Sequence, residues 1–175
     1  EMGMNRKGEI AELTAIVRPD VSVVTNIGTA HVGLMGSVEA IAAEKREIFS
    51  HGGADSVAVV GADEAWADFL LESWPGEVRR FGVVGENGWN SVEDAGLDGF
   101  RLDWNGRKIS FGLPGWHNLM NAMAAVEAAR ALGAGDDDVA AGLEAVSAVG
   151  GRSEIRKTAV TVIRDGYNAN PESLN

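Results

Sequence analysis

A chain of 175 residues can hold one good-sized domain and the start of another. Its 45% hydrophobic content argues against disorder, and a net charge of −11 argues against nucleic acid or an anionic membrane as partner. A small anionic ligand that arrives with a metal ion stays compatible with that charge. Without cysteine there are no disulfides and no thiolate metal sites. No apolar run approaches the roughly 20 residues of a membrane span and no signal peptide opens the chain, so a cytoplasmic location is the expectation. The sequence starts at Glu1 without an initiator methionine and ends on PESLN, which reads as the first turn of a helix, so both ends look cut from a longer protein.

In chain order, EIAELTAIV (9–17) is predicted as a short amphipathic helix with Ile10, Leu13 and Val17 inward, ended by Pro19. VSVVTNI (21–27) reads as a buried strand, followed by the loop GTAHVGLMG. Ser37 is the expected N-cap of the next helix, with Glu39 well placed for the helix dipole. That helix carries Val38, Ile41, Ala42, Ile48 and Phe49 as an apolar stripe, while Glu39, Glu44, Arg46 and Glu47 fall off it. Lys45 is the exception, a charge in the middle of the stripe. SVAVV (56–60) is a second buried strand, DEAWADFLLESW (63–74) a helix and EVRRFGV (77–83) a third strand. The β-α-β alternation predicts an α/β fold with a mostly parallel sheet flanked by helices.

Beyond residue 100 the texture changes. FRLDWNGRKISF (100–111) alternates around Asn105-Gly106 and predicts a β-hairpin insertion. Helices follow from about His117 to Leu132, closed by Gly133, and from about Asp136 to Val146. A GGR break at 150–152 is the candidate domain boundary, before a strand, loop and helix start in TAVTVIRDGYNANPES (158–173).

In open α/β sheets, ligands bind beyond the carboxyl ends of strands, which singles out the loops TNIGTAH and RDGYNANP. His31 has three readings there: metal ligand, acid/base, or polar surface residue. Glu1 is a carboxylate whose preceding context is missing. Lys45 also has three: it snorkels, with its methylenes on the stripe and its amine at the rim, it is buried with a depressed pKa and paired to a carboxylate, or its neutral amine takes up carbon dioxide as a carbamate. Asn118 and Asn121 share a face at a helix N-terminus, where the amide of Asn121 suits an adenine edge or a buried structural role. Arg152 suits a phosphate or a pairing with Glu154, and Asp165 suits ribose hydroxyls or plain solvent.

EMGMNRKGEIAELTAIVRPDVSVVTNIGTAHVGLMGSVEAIAAEKREIF, LPGWHNLMNAMAA and RDGYNANPES, in that order, resemble the Mur ligases, in their central ATPase domain. The GEI, TNIG-x-AH and YNANP forms are most similar to the branch that joins D-alanyl-D-alanine to UDP-N-acetylmuramoyl-tripeptide in peptidoglycan-precursor synthesis. The resemblance implies a central ATP-binding domain over 1–153 and the beginning of a Rossmann-like C-terminal domain over 154–175. It implies ATP and Mg²⁺ as cofactors and chemistry through an acyl phosphate. By matching motifs, Glu1, His31 and Lys45 as a carbamate would hold magnesium, with Lys45 and His31 as the catalytic pair. Asn118 and Asn121 would lie by adenine, Arg152 by the phosphates and Asp165 by the ribose. Tyr167, Asn168 and Asn170 would lie at the junction with the C-terminal domain.

The family's GxxGKT phosphate loop does not occur in these residues and is expected upstream of Glu1, and Gly166 stands where the family pattern has serine. The N- and C-terminal domains of the same protein are therefore expected partners, and this chain alone is expected to be inactive. Two alternatives are a sister ligase, diaminopimelate-adding or folylpolyglutamate synthase-like, and a nucleotide-binding module without catalysis.

Overall fold

The computed structural model describes residues 1–166, which fall into two compact units, Glu1–Gly82 and the residues from Val83 onward. The division lies inside the segment expected as a single central domain, and the GGR break lies inside the second unit.

The first unit is a parallel sheet of order β1-β2-β3, formed by Val21–Val24, Val57–Gly61 and Glu77–Phe81. β2 is central, and all five of its residues are buried, as its β-branched composition requires. β1 is shorter than expected. It stops at Val24, so that Thr25–Ile27 belong to the loop, and its burial alternates because successive side chains point to opposite faces of the sheet. Helix α1 (Glu9–Val17) forms where expected, but its inward residues are Ile10 and Thr14. Leu13 is 36% and Val17 59% exposed, which corrects the inward face read from spacing. Thr14 turns in because its hydroxyl finds the sulfur of Met2 at 3.7 Å.

The short helix α2 (Val32–Met35) leads to α3 (Val38–Arg46) and a 3₁₀ turn, Glu47–Phe49. Ser37 caps α3 as expected, its Oγ accepting from Ala40 N–H at 3.2 Å. The helix expected over 63–74 is reduced to α4, Ala67–Leu70, between turns. Two cores meet at shared side chains. Val24, Phe49, Ala58, Val60 and Leu70 form one and Met4, Ile10 and Ile41 the other, and Ile27 and Ile48 pack against both.

Glu44 is the main departure in this unit. Placed off the stripe by periodicity, it is only 3% exposed, and its Oε2 and Oε1 accept from the N–H groups of Gly8 (2.8 Å) and Ile10 (2.9 Å). Those amides open α1, whose N-cap is a glycine without a side chain to satisfy them. A carboxylate from α3 does the capping instead.

In the second unit the hairpin turns at Asn105 (φ 49) and Gly106 (φ 76), the paired left-handed geometry of a two-residue turn. Strand β4 (Trp89–Asp94) was not expected. It pairs antiparallel with β5 (Phe100–Trp104), which pairs with β6 (Arg107–Phe111). Trp89, Phe100, Trp104 and Phe111 are buried in this unit's core, against which Trp116 stacks edge-on to Phe100 at 5.5 Å. Helices α5 (Trp116–Ala131) and α6 (Asp136–Ala145) follow the sequence reading within one residue. After the break, β7 (Glu154–Lys157) and β8 (Thr161–Arg164) form an antiparallel ladder. Among the described residues, no helix is long and apolar enough to cross a membrane.

Replacing Glu44 by Ala leaves two buried amides without their acceptors. It is expected to cost about 1–3 kcal/mol in chemical denaturation, with faster hydrogen exchange at Gly8 and Ile10. An unchanged midpoint would show that α1 does not depend on this cap.

Candidate active site

The sequence elements put Lys45 in the last turn of α3, one residue after the buried Glu44. The two consecutive charges therefore both leave the solvent face. Lys45 is half-buried, and its Nζ donates to the carbonyl of Asn26 at 2.7 Å, the second residue after the end of β1. Burial pushes its ammonium below the ordinary lysine value of 10.5, and the carboxylate of Glu64 offsets part of that shift. The lowered pKa is common to the second and third readings of Lys45, while its side-chain hydrogen bond goes to a backbone carbonyl and Glu64 acts on it through its field.

Glu64 did not figure among the residues singled out from sequence. It sits in the turn after β2, where Gly61 ends the strand. Its Oε2 accepts from the N–H of Ile27 at 2.8 Å, and its Oε1 accepts from the N–H of Trp66 at 3.0 Å. The strand-end rule that drew attention to the loop after β1 applies equally to GADE after β2 and would have found it.

His31 lies on the same β1–α2 loop, in the left-handed region (φ 68) at the head of α2. Its carbonyl accepts from Leu34 and Met35, each at 2.9 Å, and the residue is exposed. Glu1 is exposed as well. Among the described residues, no three His, Asp or Glu side chains gather as a metal site by themselves. A magnesium set built from Glu1 and His31 therefore depends on a further oxygen donor, such as a carbamate on Lys45 would provide.

The other candidates belong to the second unit. The amide of Asn118 is occupied: Nδ2 donates to Pro114 O at 2.7 Å and to Ser153 Oγ at 3.3 Å. The structural role is thus the one observed for Asn118. Asn121 is exposed and faces an apolar groove of about 430 Å³ between α5 and α6, with Ala122, Ala125, Val139 and Leu143 in its walls. Arg152 is exposed, and its backbone N–H donates to Val149 O at 2.9 Å. Glu154, the partner weighed for Arg152, takes Arg156 at 2.7 Å and Arg164 at 3.5 Å. Asp165 follows the carboxyl end of β8 and is exposed. Tyr167, Asn168 and Asn170 lie outside the described residues.

The model of the Mur ligase middle domain matches residues 1–129. The chain belongs to the Mur ligase family. It is 40% identical, over 99% of its length, to the UDP-N-acetylmuramoyl-tripeptide–D-alanyl-D-alanine ligase of Treponema pallidum, of which it spans 38%. A crystal structure of MurF from Acinetobacter baumannii superposes with a TM-score of 0.87 at 32% identity, covering 98% of this chain and 39% of that one. MurF ligase from Thermotoga maritima, solved in complex with ADP, gives 0.82 at 28% identity over 99% of this chain and 41% of that one. As a Mur ligase middle domain, the chain has the α/β architecture expected of it.

Because the folded Lys45 binds its proton more weakly than the unfolded one, stability gains from this residue as pH rises from the depressed value toward 10.5. Thermal unfolding across that window should show the gain in the natural chain and its loss in Lys45→Met. Parallel pH curves for the two would contradict the burial of the charge.

Proposed function

We propose that this chain is the core of an ATP-dependent ligase that joins D-alanyl-D-alanine to UDP-N-acetylmuramoyl-tripeptide in peptidoglycan-precursor synthesis. The observation that carries this reading is a half-buried lysine of lowered pKa, held at the strand-end loop of a Mur ligase middle domain. Residues 1–153 are read as the central ATP-binding domain and 154–175 as the start of the C-terminal domain. The phosphate-binding loop and the remaining N- and C-terminal domains belong to the rest of the same protein.

In this reading the terminal carboxylate of the tripeptide attacks the γ-phosphorus of ATP, the bond to the β-phosphate oxygen breaks, and ADP leaves. The amino group of D-alanyl-D-alanine attacks the acyl phosphate carbon, loses a proton and expels inorganic phosphate. Lys45, as its neutral amine, combines with carbon dioxide and releases a proton to become a carbamate. Burial favours that neutral amine, so the observed environment fits the modification. Glu1, His31 and the Lys45 carbamate would then hold Mg²⁺, which supplies positive charge among the phosphate oxygens when bound. Asn121 reads the adenine from the α5–α6 groove while Asn118 fixes the start of α5 through Pro114 and Ser153. Arg152 serves the phosphates and Asp165 the ribose, and Tyr167, Asn168 and Asn170 serve the junction with the C-terminal domain.

The test uses the full-length protein with UDP-N-acetylmuramoyl-tripeptide, ATP, magnesium and D-alanyl-D-alanine. Phosphate release that requires all four is expected. Release with another amine acceptor in place of D-alanyl-D-alanine would move the chain to a sister ligase. Lys45→Ala is expected to lose at least about 100-fold in turnover, with partial recovery on adding short carboxylates. Full activity in that variant would rule out the role given to Lys45.

A further inference from the structure

Glu64 is placed where nothing in the proposed chemistry uses it directly, yet it touches the loop on which Lys45 depends. Its two carboxylate oxygens serve two different backbone donors. Oε2 takes Ile27 N–H from the loop after β1, and Oε1 takes Trp66 N–H from its own turn. The peptide between Asn26 and Ile27 is therefore held from both of its polar ends. Its N–H donates to Glu64, and its carbonyl accepts from Lys45 Nζ at 2.7 Å. Ile27 also packs its side chain against both cores of the first unit, so rotation of this peptide is opposed by packing as well. The backbone of Glu64 is fixed in turn: its N–H meets Gly61 O at 3.4 Å, and its carbonyl accepts from Ala67 N–H at 3.0 Å.

We infer that Glu64 is a positioning residue for Lys45: its carboxylate latches the turn after β2 to the loop after β1 and so fixes the Asn26 carbonyl that receives the lysine. A carboxylate is needed because both contacts require an acceptor. A carboxamide offers one acceptor oxygen and an NH₂ that would face a backbone N–H, donor against donor. Lys45 would then lose the fixed carbonyl that holds its amine at the loop after β1. The catalytic consequence rests on the ligase reading, whereas the latch itself does not.

The test compares the natural full-length protein with Glu64→Gln and Glu64→Asp. Glu64→Gln keeps size and shape, so a melting temperature near that of the natural protein is expected. Amide exchange at Ile27 and Trp66 should rise about tenfold or more, with Ala58–Val60 in β2 unchanged, and kcat should fall about 10- to 100-fold with little change in KM for ATP. Glu64→Asp keeps the charge with one methylene less, and should hold one amide and recover part of kcat. Unchanged exchange at Ile27 in Glu64→Gln would overturn the latch. A collapse of melting temperature with kcat and KM shifting together, in both variants, would reduce Glu64 to a structural residue and overturn its positioning role. If the natural protein ligates nothing while Glu64→Gln still frees the Ile27 amide, the ligase reading falls and the latch stands.

Discussion

The first unit is organised around the hydrogen bond from Lys45 to the carbonyl of Asn26. An ammonium moved out of water needs compensation, and here it comes from a backbone oxygen at 2.7 Å and from the field of Glu64. The carbonyl is available because β1 ends at Val24, which leaves Thr25–Ile27 outside the ladder, and Glu64 comes from the turn after β2. The preceding residue, Glu44, reaches in the opposite direction to cap α1. Two adjacent charges of opposite sign thus fasten α3 to a helix start on one side and to a strand end on the other. The apolar residues Ile41, Ala42 and Phe49 supply the burial that makes both fastenings matter.

The second unit contributes a different kind of surface. Its antiparallel sheet buries four large aromatic rings, and α5 and α6 leave between them an apolar groove with a single exposed amide, Asn121, available at its wall. The neighbouring Asn118 is held by Pro114 and Ser153, which ties the start of α5 to the residue after the GGR break. The start of α5 thus carries one amide committed to structure, Asn118, and one exposed amide, Asn121, beside the groove.

Much of this was legible in the sequence, for identifiable reasons. Asn105-Gly106 dictates its turn because few residues tolerate the paired left-handed conformation. The Ser37 cap, the long α5 and the fully buried β2 follow from local chemistry and continuous patterning. The inward aim of Lys45 was readable from register, whereas its partners were not. Asn26 O and Glu64 reach it from other elements, 19 residues away in either direction. Glu44 misled for the same reason: periodicity sees the helix that carries it, and the unsatisfied amides it serves belong to α1. Leu13 and Val17 show the converse, apolar residues at good helical spacing that stay partly exposed. WNSVED gave no strand signal because only Trp89 of β4 is fully buried, and the ladder with β5 holds the rest.

Carbon-13 NMR of the full-length protein equilibrated with ¹³C-bicarbonate tests the proposed carbamate on Lys45 most directly. A protein-bound carbamate resonance is expected that disappears in Lys45→Ala and persists in Asn118→Ala, a change in the second unit. A spectrum without that resonance, together with a Lys45 amine titrating at the ordinary lysine value, would contradict it.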